Sequence, residues 1–501
     1  MHEIQLLYVE NIITRKKSLP QQELTFVMRV ANLSHDKKVE VLWAGEQGEW
    51  QVAHASYQYQ IDADKECWQA KVIIRATGHN SLPGNINFAL HFQCLGQDYW
   101  DNRSGSNYAS QADSGIQLAA NQNLQQLGFE PKLKAGQQRH PITISVNQAL
   151  QVTAVNIHWT TDNWHSTHTT ACHFNRHYWH EHAQSNARNP NQYGSEIWQG
   201  LLKIKDAHRV HYSISYDTVD GVLWDNNDGN NYELSHEPLR LMILNLHCYQ
   251  EAQQDQKFNQ IAKAIDDLAV DIVCFQEVAE LWNEGRGDWS THSANIINNR
   301  LKSPFHLYSD WSHIGFDKYR EGVAILSRYP LHNQAARYVS DSDSIYSIHS
   351  RKVIMAQVHV PTMGVINVFS AHLSWWEDGF AQQFKKLSSW ANELQDSSVS
   401  ATLLCGDFNI SCGSEGYQLV INANEYEDQF LALQDQHAFQ KVFKVNDAHW
   451  SNSHAEDYRI DYIFMNKASE LKVRSGRVIF TDDDYGKVSD HCGYLMSFEP
   501  K

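Results

Sequence analysis

The sequence predicts a multidomain protein, with two N-terminal antiparallel β-sandwiches followed by an α/β domain. Three observations carry this. The segment Trp100-Asp-Asn-Arg-Ser-Gly-Ser-Asn-Tyr108 returns as Trp224-Asp-Asn-Asn-Asp-Gly-Asn-Asn-Tyr232, so the first half of the chain repeats once. Within each repeat short runs alternate apolar and polar residues, the period-2 signature of half-buried strands. After Pro238 the texture changes, and apolar strand-like runs alternate with amphipathic helix-like ones.

The 501 residues suggest about three domains, at roughly 100–200 residues each. At 42% hydrophobic and 11% aromatic the chain can bury several ordinary cores, and its net charge of −17 lacks the basic footprint of a dedicated nucleic-acid binder. The N-terminal residues carry no long apolar stretch of a signal peptide, and no apolar run reaches the roughly 18 residues a membrane span needs. Eight cysteines are scattered without a CxxC pair, and Cys248, Cys274 and Cys405 lie in or beside strand-like runs, which predicts free thiols in a reducing cytosol.

The first repeat spans residues 1–108. Its Trp-bearing run VEVLWAGEQGEW (Val39 to Trp50) is followed by WQAKVIIRA and INFALHFQCL, each alternating between breaks with turn signals. Residues 109–136 are rich in Gln, Asn and Ala, show no strand pattern and read as a linker. The second repeat, 137–235, opens its Trp-bearing run with AVNIHWTTDNW (Ala154 to Trp164) and continues through GLLKIKDA and HYSISYDTV. Units of about 100 residues built this way form antiparallel sandwiches. A short boundary near Ser235 to Pro238 leads into the third domain, 239–501, where LRLMILNLH, DIVCFQEV, GVAILS, GVINVFSAH and ATLLCGDF alternate with QKFNQIAKAIDDL and FAQQFKKLSSWANELQ.

The strand-like runs of this third domain end in polar residues: Asn245, Gln276-Glu277, His372, Asp407 with Asn409, Asp461, and Asp490-His491. Amide, carboxylate and imidazole groups gathered where buried strands open to solvent predict one convergent site. In-line cleavage of a phosphoester needs charge neutralised on the phosphoryl oxygens and a deprotonated water. Glu277, Asn245 and Asp490 offer the oxygens a hard cation such as Mg²⁺ takes. His491 serves as base with Asp461 fixing its tautomer, His372 as donor to a non-bridging oxygen, and Asp407 and Asn409 as groups that place the water or the leaving oxygen. Taken singly, Asp407 and Asn409 read as turn residues and His372 as a core histidine; taken together they read as a site.

The set NLH, FQEV, SRYPL, AHLS, GDFN, RIDYIF and SDHCG resembles the endonuclease/exonuclease/phosphatase superfamily, over nearly all of residues 239–501. The resemblance implies a four-layered α/β sandwich of the DNase I-like kind. It also implies a divalent metal, Mg²⁺ or Mn²⁺, held by Glu277 and Asn245, and a water activated by His491 with Asp461 or Asp490. It gives Asp407 and Asn409 the task of orienting the nucleophile or leaving group, and His372 that of binding phosphate. Such a fold hosts nucleases, phospholipid-headgroup hydrolases and phosphatases, so it does not name the substrate. The stretch from Ala279 to Arg320, where substrate loops are expected, holds Arg286, Arg300, Lys302 and Arg320, enough to meet one phosphate but not a duplex track. Trp375-Trp376 reads either as an apolar lip or as a helix-start packing pair.

Aromatic faces flanked by amides and carboxylates suit a sugar surface. The candidates are Trp43, Trp50, Trp100 and Asn102 in the first repeat, and Trp159, Trp164, Trp224, Asn226 and Asn231 in the second, with Trp43 and Trp159 reading equally well as core. The WDNxxGxNY ending and paired tryptophans resemble starch- and glycogen-binding modules of the family 21 type, which implies an α-glucan partner. The first copy departs from that pattern at Arg103 and lacks the Asp-Asn before its second Trp. Six histidines of the second copy, His165, His168, His173, His177, His180 and His182, read as a polar loop rather than a metal site. The combined expectation is a cytoplasmic, Mg²⁺-dependent phosphoester hydrolase targeted to glycogen or starch. A nuclease or other phosphodiesterase and a non-catalytic glucan-binding scaffold are the alternatives.

Overall fold

The computed structural model describes residues 3–16, 19–77, 81–120, 122–177, 193–283, 285–432 and 459–501. The chain divides into two compact units, Met1–Glu237 and Pro238–Lys501.

The first unit holds the two antiparallel sandwiches. In the first sandwich one sheet runs Gly115–Leu118, Ile4–Lys16, Leu19–Ala31, Lys65–Arg75, Ser56–Asp62 across its width. The other runs Trp50–His54, Lys37–Ala44, Ile86–Cys94, Gln97–Asp101, with Tyr108–Ser110 also pairing Ile86–Cys94. Val39, Val41 and Trp43 point inward on one period-2 face, against Phe26, Phe88 and Leu90. The second sandwich repeats the arrangement: Val155, Ile157 and Trp159 of strand Ala154–Thr160 pack with Tyr212, Ile214 and Tyr216. The repeat extends to single rings, since Phe88 stacks on Tyr108 (centroids 5.2 Å) as Tyr212 stacks on Tyr232 (5.1 Å).

Residues 109–136, expected as a linker without strands, are stitched into both sandwiches. Gly115–Leu118 pairs with the first sandwich (Tyr8 opposite Leu118), and Leu124–Leu127 pairs with the second (Leu124 opposite Val146). Two strands of four residues each show too few alternations to stand out in an Asn/Gln-rich stretch. Ile116 joins Leu7, Tyr8, Val27, Cys67 and Ile197 in one buried cluster drawn from both sandwiches. The repeated turn of the second sandwich adds an ionic contact: Asp228 lies 3.2 Å from Arg29 Nη1 and 3.5 Å from Lys65 Nζ of the first.

The second unit is a four-layered α/β sandwich. One sheet has the order His306–Gly315, Tyr319–Ser327, Ile272–Asn283, Leu239–Asn245, Gly493–Pro500, Leu471–Ile479. The other has the order Leu331–Tyr338, Lys352–Val360, Gly364–His372, Val399–Asp407, Asp461–Asn466, Tyr426–Asp428. Near-continuous apolar strands are what burial on both faces requires. Leu241 and Ile243 face the core between the sheets, while Met242 and Leu244 face the layer holding helices Gln254–Asp267 and Ser293–Asn299. On the other sheet, Leu403 and Cys405 face the same central core, and Leu404 faces helices Phe380–Glu393 and Glu415–Asn422. Among the described residues no helix is long and apolar enough to cross a membrane.

Candidate active site

Strand register gathers the site. Leu239–Asn245 pairs in parallel with Ile272–Asn283, which sets Asn245 beside Gln276 and one residue short of Glu277. On the other sheet Gly364–His372 and Val399–Asp407 are parallel, with His372 opposite Asp407, and Asp461 pairs with Asp407 from the other side. Three strand ends of one sheet thus carry His372, Asp407 and Asp461 in a row. A bulge between Phe275 and Val278 turns the backbone at Glu277 to φ 48°, which re-aims its carboxylate off the ladder. Gly406 admits no side chain: its φ is 129°, and a Cβ there would stand 2.2 Å from Ala371 O and 2.8 Å from the Gln276 amide nitrogen. Gln276 is fully buried and donates to Ser370 Oγ (3.1 Å), so it braces the two sheets behind the site.

The functional groups fall into linked sets. His491 Nδ1 lies 2.8 Å from Asp461 Oδ2, and His491 Nε2 points towards Asp407 Oδ2 at 3.8 Å. His372 Nε2 stands 3.7 Å from Asp407 Oδ2 and 3.9 Å from Glu277 Oε1. Asn245 Nδ2 donates to Glu277 Oε1 (2.9 Å) and to Asp407 Oδ2 (3.1 Å), while its oxygen accepts from His247 N (3.0 Å). Asn245, expected as a metal ligand, ties two carboxylates together through its amide nitrogen, while its oxygen accepts one backbone N–H and keeps a second lone pair. Asn409 is likewise anchored: its side chain donates to Leu373 O (2.8 Å) and its N–H to Asp407 Oδ1 (2.9 Å). Asp490, expected beside Glu277, groups instead with His247 and Glu251. Glu277, His372, Asp407, Asn409, Asp490 and His491 nevertheless line one cleft of about 510 Å³, with Asn245 and Asp461 behind its wall.

The charges in this cleft call for a cation. Burial, then the neighbouring Asp461 carboxylate, pushes Asp407 up to about 7. Burial and the Glu277 carboxylate push Glu321 up to about 8. Carboxylates that cannot all ionise side by side become stable anions when a divalent ion sits among them. Glu277, His372 and Asp407 present atoms close enough together to hold one ion, as do Asp407, Asp461 and His491. His491 is held in the charged form: burial opposes this, but Asp461, Asp407 and Asp490 together raise it well above the ordinary imidazole range. His372 is pushed well down, by burial first and then by Arg351 and its neighbouring histidines.

Two family models match this chain. Residues 242–491 match the endonuclease/exonuclease/phosphatase family model, and residues 2–111 and 137–235 match the carbohydrate/starch-binding module of family 21. The C-terminal domain belongs to the endonuclease/exonuclease/phosphatase family. A family 21 module at each N-terminal match precedes it. Among solved structures, an endonuclease/exonuclease/phosphatase family protein from Leptotrichia buccalis C-1013-b is 25% identical, covering 52% of this chain and 99% of its own, with a TM-score of 0.46. The family member from Beutenbergia cavernae DSM 12333 is 20% identical, covering 53% and 72%, at a TM-score of 0.39. A mannosyl-6-phosphatase from Bacteroides thetaiotaomicron VPI-5482 is 16% identical, covering 52% and 99%, at 0.40. No curated protein sequence matches the chain. Members of the endonuclease/exonuclease/phosphatase family typically depend on a metal, and this domain offers the groups to hold one.

The endonuclease/exonuclease/phosphatase domain also shows residues that sequence reasoning missed. Arg351 is the one Lys or Arg side chain lining the cleft among the described residues. The expected phosphate-meeting cations lie elsewhere: Arg320 pairs with the buried Glu280 (2.8 Å) over the ring of Trp311, and Arg300 pairs with Asp255 and Asn259. Arg351 follows a serine-rich loop and precedes a strand, so it ends no apolar run; only its place at a strand start marked it. Glu321 escaped notice because it lies inside the strand Tyr319–Ser327. Trp375 lines the cleft, whereas Trp376 packs against Phe380, so the pair divides between the two readings.

In the family 21 modules the tryptophans divide as well. Trp43 is 2% exposed and Trp159 7%, its Nε1 donating to Thr170 Oγ1 (3.0 Å); both are core and neither is free to stack on a sugar. Trp50 (52%), Trp100 (49%), Trp164 (38%) and Trp224 (56%) are exposed. Trp100 stacks on His91 (4.3 Å) and Trp224 leans on His158 (4.9 Å), a buttress the sequence did not announce. Asn102 and Asn226 accept from Gly105 N and Gly229 N (3.0 Å each) through their side-chain oxygens, and Asn231 takes a left-handed φ of 59° to close the second turn. The Tyr of each motif locks its Asp: Tyr108 OH donates to Asp101 (2.8 Å), Tyr232 OH to Asp225 (2.9 Å). His165 is tied to Asp162 O (2.6 Å) and His168 leans on Trp159; His180, His182 and the His177 side chain lie outside the described residues. Among the described histidines of that cluster no metal-holding group forms.

Proposed function

We propose that the chain is a Mg²⁺- or Mn²⁺-dependent phosphoester hydrolase held on an α-glucan such as glycogen or starch, acting on phosphate esters carried there. The observation that carries this is the buried Asp461–His491 pair facing Asp407 across the same cleft that holds Glu277, His372 and Arg351. Asp461 fixes the imidazole with Nδ1 inward and Nε2 towards the cleft. The ring is charged while Asp407 and Asp490 face it uncompensated, and with a cation neutralising those carboxylates Nε2 would take the proton of the attacking water and deliver it to the leaving oxygen. Arg351 meets a non-bridging phosphate oxygen, and His372, kept neutral, donates to another. Asn409 and Asn245 keep Asp407 and Glu277 in place. Glu277 and Asp407 would hold a divalent ion, which when bound would supply the charge that neutralises the phosphoryl oxygens. The exposed tryptophans of the two modules supply glucan contact, which raises the local concentration of any ester on the polymer.

Arg351, the one Lys or Arg side chain lining the cleft among the described residues, suits one phosphate and not the run of phosphates of a nucleic-acid track. The test is phosphate release from phosphorylated glucan, plasmid DNA and sphingomyelin by wild type and His491→Ala, with Mg²⁺ and with chelator. Metal-dependent release from the glucan, absent in His491→Ala, supports the proposal. Turnover of DNA or sphingomyelin alone supports a phosphodiesterase, and silence on all with glucan binding intact supports a scaffold.

A further inference from the structure

The cleft has an apolar rim that the phosphate chemistry does not use. Phe316 (73% exposed) and Ile348 (60%) both line it. Phe316 sits in the turn between strands His306–Gly315 and Tyr319–Ser327, at φ 53°. Ile348 belongs to the loop of residues 340–350, which also exposes Ile345 and Tyr346. This loop is a built element. Ser350 Oγ donates to Ser344 O (2.7 Å), Ser340 Oγ to Ser342 O (2.5 Å), and Arg351 Nη1 to Ile348 O (3.2 Å). Ile314 N donates to Ile345 O (2.6 Å), tying the loop to the strand that leads into the Phe316 turn. Exposed apolar groups gathered on an ordered rim beside a reactive site mark a ligand surface rather than chance exposure.

We infer that Phe316 and Ile348 form a subsite for a pyranose ring, so that the substrate is a sugar phosphomonoester whose ring lies on this rim while its phosphate reaches Arg351. This rests on the hydrolase reading above. The flat carbon face of a pyranose stacks on an aromatic ring, and its hydroxyls need acceptors and donors at the edge. Gln250, His349 and Asp378 line the same cleft and supply them. A single guanidinium beside an otherwise acidic and neutral rim fits one phosphate on a neutral body.

The test compares kcat/KM for glucose 6-phosphate and for glycerol 3-phosphate, primary esters that differ in the ring, using the full chain with Mg²⁺. The wild type is expected to favour the glucose ester. Phe316→Ser is expected to lower the glucose-to-glycerol ratio about tenfold through KM, and Phe316→Tyr to restore it. A ratio unmoved by both Phe316→Ser and Ile348→Ser overturns the subsite, as does a wild type that cleaves the two esters equally well. A wild type that releases phosphate from phosphorylated glucan but cleaves neither small ester overturns the subsite alone, and one that binds metal yet cleaves none of these, DNA and sphingomyelin included, overturns the hydrolase reading.

Discussion

Asp461 and His491 stand 2.8 Å apart, both buried, and the second oxygen of Asp461 is buried without a hydrogen-bond partner among the described residues. A carboxylate that gives up one hydrogen bond to aim the other at an imidazole is arranged for orientation. Asp461→Asn and His491→Ala are each expected to lower kcat about 10²–10⁴-fold. The double variant should lose little more, because the two act as a unit. Single-turnover rates on a phosphorylated glucan would measure this, and additive losses would separate the two roles.

The carboxylates of the cleft predict stabilisation by metal. Saturating Mg²⁺ at a hundredfold over Kd should add about 2.7 kcal/mol to the C-terminal domain. Glu277→Gln should lose most of that gain. Calorimetric unfolding with Mg²⁺ and with chelator checks it, and identical transitions in the two would remove the metal from the account.

Burial divides the tryptophans into two classes of mutant. Trp100→Ala and Trp224→Ala should weaken binding to amylose about tenfold with the fold intact. Trp43→Ala and Trp159→Ala should instead cost about 3–5 kcal/mol of module stability. Amylose sedimentation alongside thermal unfolding tells the classes apart.

Acid should weaken the C-terminal domain partly through His292. This buried ring accepts from Asn295 N (3.2 Å) to cap helix Ser293–Asn299, and its other nitrogen meets Ser309 Oγ (2.9 Å). Burial pushes it down to about 4. In the unfolded chain a histidine titrates near about 6.5. Between these values the unfolded chain takes up a proton that the folded one refuses. Stability is therefore complete above about pH 6.5, falls as pH drops towards 4, and loses nothing further from this group below that. The loss from pH 7 to pH 5 is about 2 kcal/mol. His292→Asn keeps a capping oxygen and should flatten this slope in urea unfolding at the two pH values.

The fold and most of the candidate site groups were legible because strand ends announce themselves: Glu277, His372 and Asp407 each close an apolar run, Asp461 opens one, and register then brings them together. Their division of labour was not legible. The Asn245 amide reaches two carboxylates, whereas Asn409 holds Asp407 by its backbone N–H and spends its side-chain nitrogen on Leu373 O, contacts that only the folded register sets. Trp43 and Trp159 were ambiguous as residue types but not in phase, since each continues an inward series with Val39 and Val41, or Val155 and Ile157. Arg351 carried only the faint signal of standing just before a strand, because it enters the cleft from the preceding loop and ends no apolar run.

The stitched segment between the sandwiches bears on how a polymer would be gripped. With residues 115–118 and 124–127 each laced into a sheet, a shared cluster around Ile116, and Asp228 pinned to Arg29 and Lys65, the two sugar modules behave as a calliper rather than as beads on a string. A calliper has one jaw width. A second contact then depends on whether the glucan presents its next face at that distance, not on how far a tether can wander. If both modules grip one glucan, such a pair would select for the pitch and branching of the polymer, a property that neither module would read alone.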